Sequence, residues 1–214
     1  MKEKLTEMIF ILDKSGSMSG LESDTIGGFN AMIEKQKDLE GQARVSTVLF
    51  NHNINILHDR EDIQDIKAMT KFDYRPSGMT ALLDAIGSSI KHIKEIYTDS
   101  LREERPEKVI FVITTDGLEN SSKEYNYRDI KELISFTQEK YEWEYIFLGA
   151  NIDAIHEASK FGIRADRAAR YHSDKRGTEL NYHSLNEAIT SFRKESRLDN
   201  HWKKDIDSDY KNRK

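Results

Sequence analysis

Met8-Ile9-Phe10-Ile11-Leu12 and Val109-Ile110-Phe111-Val112-Ile113 are unbroken apolar runs. They are too short to span a membrane and have the length of strands buried on both faces of a parallel sheet. The first predicts a central strand over 5–12 and the second a strand over 109–115. Elsewhere the apolar positions recur at helical spacing. Ile26, Phe29 and Ile33 predict a helix over 23–40 closed by Gly41. Leu82, Ala85, Ile86, Ile90, Ile93 and Tyr97 predict one over 81–97, and Ile130, Leu133, Ile134 and Phe136 one over 126–141. Further helices are predicted over 61–68 and 152–161, and Leu185, Ala188, Ile189 and Phe192 mark a last one. The runs 43–50 and 54–58, separated by Asn51-His52-Asn53, read as an antiparallel hairpin. Strands over 143–148 and 169–172 complete the series. Gly27-Gly28 inside the first helix either admits another segment close to its backbone or is simply tolerated.

Strands alternating with helices imply right-handed crossovers and an α/β fold. The expected architecture is a doubly wound, mostly parallel central sheet with one antiparallel edge strand and helices on both faces. In such sheets ligands collect beyond the carboxyl ends of the strands, where the winding direction reverses. With 214 residues, one domain is the simplest account, here expected over 1–197 with a charged C-terminal tail over 198–214 that is either mobile or an appended helix. Charged residues make up 33% of the chain, yet its periodic apolar runs suffice for a core. The absence of cysteine removes disulfides and thiolate metal sites. The start Met1-Lys2-Glu3-Lys4-Leu5 lacks the apolar segment of a secretory signal, so a cytoplasmic location is expected. The net charge of −5 is dispersed, without the clustered positive face of a nucleic-acid binder.

The chemistry gathers at predicted strand ends. Asp13-Lys14-Ser15-Gly16-Ser17 offers a carboxylate and two hydroxyls at alternating positions, hard oxygen donors of the kind that Mg²⁺ and Ca²⁺ select. Alone, this is an ordinary turn sequence. Two further pieces change the picture: Ser77-Gly78-Met79-Thr80 ahead of the helix over 81–97, and Thr114-Thr115-Asp116-Gly117 ending the strand over 109–115. Together they resemble the von Willebrand factor A family, whose metal-ion-dependent adhesion site (MIDAS) combines Asp-x-Ser-x-Ser with a Thr from a second loop and an Asp from a third. Asp13, Ser15, Ser17, Thr80 and Asp116 match that pattern one by one, and the similarity extends over about residues 5–195. The resemblance is to the intracellular, prokaryotic-type members with an intact MIDAS, and it implies a Rossmann-like fold. It also implies a bound Mg²⁺, with Mn²⁺ or Ca²⁺ as alternatives, and a protein partner that presents an Asp or Glu to the ion.

On this reading the chain is a protein-binding module and not an enzyme. Neither a nucleic acid nor a membrane is an expected partner. Specificity would come from a rim of Lys14, Met18, Arg75, Met79, Leu118, Glu119 and Asn151. Asp84, one turn beyond Thr80, is either a support of the site or an exposed helix carboxylate. The competing class is a Mg²⁺-dependent phosphoester hydrolase using the strand-end Asp loop. Such an enzyme needs a second carboxylic acid two residues on, where this chain has Ser15, which does not supply a proton at neutral pH. There is no Gly-x4-Gly-Lys-Ser/Thr loop, and His156-Glu157 lacks the second histidine of a zinc protease.

Overall fold

The computed structural model describes residues 5–195 and 197–213. Its strands are β1 (Thr6–Asp13), β2 (Ala43–Phe50), β3 (Ile54–Asp62), β4 (Lys108–Thr115), β5 (Glu144–Ala150) and β6 (Ala168–Tyr171). Its helices are α1 (Glu22–Lys37), α2 (Leu82–Asp99), α3 (Tyr127–Tyr141), α4 (Ala154–Lys160), α5 (Lys175–Glu195) and α6 (Lys204–Asn212). The strands form one sheet in the order β3-β2-β1-β4-β5-β6, parallel throughout except for β3, which runs antiparallel to β2. The expected doubly wound sheet with one antiparallel edge strand is therefore the observed one.

Every residue of β1 is buried, which explains its lack of polar alternation. Successive side chains point to opposite faces. Met8, Phe10 and Leu12 enter a core with Phe29 and Ile33 of α1 and Leu185 and Ile189 of α5. Ile9 and Ile11 enter a second core with Leu82, Ile86 and Ile90 of α2 and Ile130 of α3. The chain leaves β1 toward β2 on one side and reaches β4 on the other. The winding reverses between β1 and β4, so Asp13 and Asp116 meet there.

Four features differ from the sequence reading. The predicted helix over 61–68 is only a 3-10 turn at Ile63–Asp65, because β3 runs on to Asp62 and takes the residues that would start it. In β3, Arg60 has a φ of 53°, the register with β2 shifts there, and its guanidinium pairs with the buried Glu7 carboxylate at 2.9 and 3.0 Å. The third difference lies at Asn126, which precedes α3 instead of belonging to it and caps its start in a reciprocal capping box with Asp129. The last is the charged tail over 198–214: of the two expected forms its described part is the appended helix, α6, but packed against β6, with Leu198, Trp202 and Ile206 in the core. Lys203 Nζ donates to the carbonyls of Ala165 and Ala168, and Trp202 Nε1 to that of Asp166. Isolated apolar residues in charged sequence had given too little periodicity to show this. Residue 214 lies outside the described residues. Among them no helix is long and apolar enough to cross a membrane.

Candidate metal centre

β1 delivers Asp13 to its carboxyl end and the chain turns at once, since Lys14 N–H still donates to the Phe50 carbonyl of β2 while Gly16 N–H donates to Gly78. The Asp13 carboxylate is 1% exposed. It accepts from Ser15 N–H at 2.6 Å through one oxygen and from Thr115 Oγ1 at 2.6 Å through the other. Ser15 Oγ and Ser17 Oγ stand 3.1 Å apart, and Ser17 Oγ donates to Asp116 Oδ1 at 2.5 Å. A Cβ placed on Gly117 would lie 3.2 Å from Thr80 Oγ1 and 3.5 Å from Ser17 Oγ. Thus the oxygens of Asp13, Ser15, Ser17, Thr80 and Asp116 converge from three loops at the reversal of winding.

Burying two carboxylates side by side is electrostatically costly. Burial pushes the Asp13 carboxyl up from 3.8 to about 6, against the hydrogen bonds from Thr115 and Ser15. Burial also raises Asp116 above the ordinary carboxylate range, despite the bond from Ser17. Among the described residues, Asp116 Oδ2 is a buried oxygen without a hydrogen-bond partner. A hard divalent cation supplies what such an oxygen lacks, and two carboxylates with three hydroxyls form a donor set that suits Mg²⁺ or Mn²⁺. No group of three or more His, Cys, Asp or Glu that could hold a metal ion occurs among the described residues, so a cation here would depend on the hydroxyls as well as the two carboxylates.

The loops are fixed from behind by residues that the sequence did not single out. Tyr74 Oη donates to the Asp13 carbonyl, Asn51 Nδ2 to that of Ser77, and Ser77 N–H to that of Lys14. Asn120 Oδ1 accepts from Thr80 N–H, and the Thr80 carbonyl accepts from Asn120 and Ser121. Thr115 had a readable signal, as the hydroxyl neighbour of a ligand candidate. Tyr74 and Asn51 had none, since each acts across a turn whose path only the fold defines.

Asp84 is neither a free surface carboxylate nor a contact of the five oxygens. It accepts from the backbone N–H groups of Lys123, Glu124 and Tyr125 at 2.8–2.9 Å and so clamps the segment after Asp116 onto α2. Glu119 does the same from the opposite side, accepting from Ser121 and Ser122 and from Leu83 N–H in the first turn of α2. Of the expected rim residues, Arg75, Met79, Leu118 and Asn151 are exposed and Lys14 is half-buried. Met18 is 3% exposed and belongs to the core beside α1, so it does not stand on the rim. Burial lowers the Lys14 ammonium against the charge of Asp73. Asn151 lies at the end of β5, two strands from β1.

No protein-family model matches the chain, and no curated protein sequence matches it. Solved structures do match. Proximal thread matrix protein 1 from the mussel byssus, solved with zinc in its MIDAS motif, superposes with a TM-score of 0.59 at 14% identity, over 88% of this chain and 48% of that one. A von Willebrand factor type A protein from Catenulispora acidiphila gives 0.56 at 15% identity, over 88% of this chain and 43% of the other. The manganese-loaded TRAP protein of Plasmodium vivax gives 0.55 at 14% identity, over 84% and 73%. The chain thus spans under half the length of the first two proteins and most of the third. Strand order, the single antiparallel edge and these superpositions together show that the chain has the von Willebrand factor A fold.

Proposed function

We propose that this chain is a divalent-metal-dependent protein-binding module in which Asp13, Ser15, Ser17, Thr80 and Asp116 hold a Mg²⁺ ion. Mn²⁺ is an alternative occupant, and Ca²⁺, larger and less demanding in geometry, another. The observation that carries the reading is Asp116 Oδ2, buried and unpartnered amid four other converging oxygen-bearing side chains. An ion held by these residues would supply an exchangeable position for an Asp or Glu of a protein partner. The chain's own part is to hold its oxygens in place beforehand and to keep solvent from the inner ones, with Asp13 and Ser15 each 1% exposed. The donor set supports binding over hydrolysis, since the position two residues beyond Asp13 is Ser15, which donates toward Ser17 and is no acid. A cytoplasmic setting, suggested by the lack of cysteine, is part of the same proposal.

The test is titration calorimetry with Mg²⁺ and Mn²⁺ on the wild type and Thr80→Ala, run beside a generic phosphoester assay. Metal binding lost in Thr80→Ala, with no turnover in either protein, is the expected result. Metal-dependent turnover abolished by Asp13→Ala would establish the hydrolase instead. The clamp makes a graded prediction. Asp84→Ala frees three backbone N–H groups and is expected to weaken Mg²⁺ binding about 10- to 100-fold. Asp84→Asn retains the oxygen that serves Glu124 and Tyr125 and should fall between. Equal affinity in all three proteins would show that the clamp does not set the site.

A further inference from the structure

Two large apolar side chains project from the backbone that carries the outer oxygens. Met79 precedes Thr80 and is 56% exposed, and Leu118 follows Asp116 by two residues and is 55% exposed, while Thr80 and Asp116 themselves are 3% and 4% exposed. Their exposure does not come from slack loops. Gly78 accepts from Gly16 N–H, Thr80 accepts from Asn120 and Ser121, and Glu119 is tied to the start of α2. Those bonds also commit the Glu119 carboxylate to backbone donors, so it is not presented to an incoming acid. Apolar side chains held in water on ordered backbone gain when a partner covers them, and their positions are fixed in advance of binding. The grooves of about 350–460 Å³ between α1 and α5, β3 and α2, and α2 and α3 are lined by none of the five oxygen-bearing residues. The apolar exposure at the centre is divided between two separate stretches of backbone, Met79 on one loop and Leu118 on another, which a single extended segment crossing the strand ends can meet together.

Resting on the binding reading above, we infer that the acidic residue of the partner lies in an extended segment with an apolar side chain on each side of it. One of these side chains rests on Met79 and the other on Leu118. In an extended chain, side chains two apart share a face, so the apolar residues fall within two positions of the acid. The carboxylate gives attachment and the apolar pair gives selectivity, separating this partner from acidic proteins in general.

The experiment screens immobilised short peptides with a fixed central Glu and randomised flanks against the full chain, in Mg²⁺ and in EDTA. The expected selection has Leu, Ile, Met or Phe on both sides of the Glu and binds only in Mg²⁺. Met79→Gln and Leu118→Gln should each weaken the selected peptides about tenfold, the worth of one apolar side chain, and leave calorimetric Mg²⁺ affinity and melting temperature unchanged. Mg²⁺-dependent binding without a flanking preference, or a preference that both variants keep, overturns this inference and leaves the metal-dependent reading standing. If no peptide binds better in Mg²⁺ than in EDTA, both fall.

Discussion

Replacing Asp13 by Asn is expected to stabilise the metal-free protein at neutral pH. The native carboxyl is held at about 6 against 3.8 in the unfolded chain, chiefly by burial. Folding therefore favours the protonated form. Below the unfolded value the group is neutral in both states and contributes nothing. As pH rises through the window from 3.8 to about 6, the unfolded chain ionises while the folded one resists, and stability falls. Above the window the full difference is felt, about 3 kcal/mol from a shift of two units at about 1.4 kcal/mol each. Asn removes the charge and keeps an oxygen for Ser15 N–H, and Thr115 Oγ1, which already reaches the Gly117 carbonyl at 3.0 Å, is able to accept from the amide. After the cost of that exchange, a gain of about 1–3 kcal/mol is expected in EDTA at pH 7.5 and none near pH 4. Saturating Mg²⁺ should reverse the order, because only the wild type binds it and gains by linkage. Urea melts of both proteins at the two pH values, with and without metal, decide the matter. An Asn variant no more stable than the wild type at pH 7.5 in EDTA would falsify the claim that Asp13 is destabilising without an ion.

The second large effect separates two adjacent glycines of α1. A Cβ on Gly28 would lie 2.3 Å from the Tyr182 ring of α5, whereas one on Gly27 meets nothing within 4 Å. Tyr182 is 5% exposed and belongs to the core between α1 and α5. Gly28→Ala is therefore expected to force α1 and α5 apart and cost about 2–3 kcal/mol. Gly27→Ala should stabilise by about 0.5–1 kcal/mol, because alanine is the better helix former and loses less backbone freedom. Denaturant midpoints of the two variants give opposite signs if the packing is as described. Adding Tyr182→Leu to Gly28→Ala should recover part of the loss, and the coupling in that double-mutant cycle measures the contact directly.

Those glycines also show what was legible in the sequence. Their presence in a helix pointed to close approach or tolerance, and both are true, one at each position, because helical geometry turns neighbouring residues to different sides. The sheet and its order of winding were readable, since β1 and β4 each carry an unbroken run of five apolar residues, Met8–Leu12 and Val109–Ile113, whose length allows little else. The five oxygen-bearing residues were readable because each follows a strand or precedes a helix within a few positions. The fixing shell was not. Asn51, Tyr74, Asn120 and the clamp of Glu119 act between loops distant in sequence, through backbone groups that any residue possesses, and only Asp84 stood out as a possible support. Met18 was misread for a related reason: a residue one step past Ser17 in a polar loop looks exposed until the 3-10 turn at Gly16–Met18 rotates it inward.

The two margins of the sheet are closed by different means. At β3 the displaced register around Arg60 and a run of charges spoil the edge for pairing. At β6 the cover is α6, with Lys203 taking the carbonyl of Ala168. Synthesis runs from the amino end, so β6 leaves the ribosome well before the helix that shields it. In that interval nascent chains carry an open strand capable of pairing with one another, and the later emergence of α6 ends this hazard.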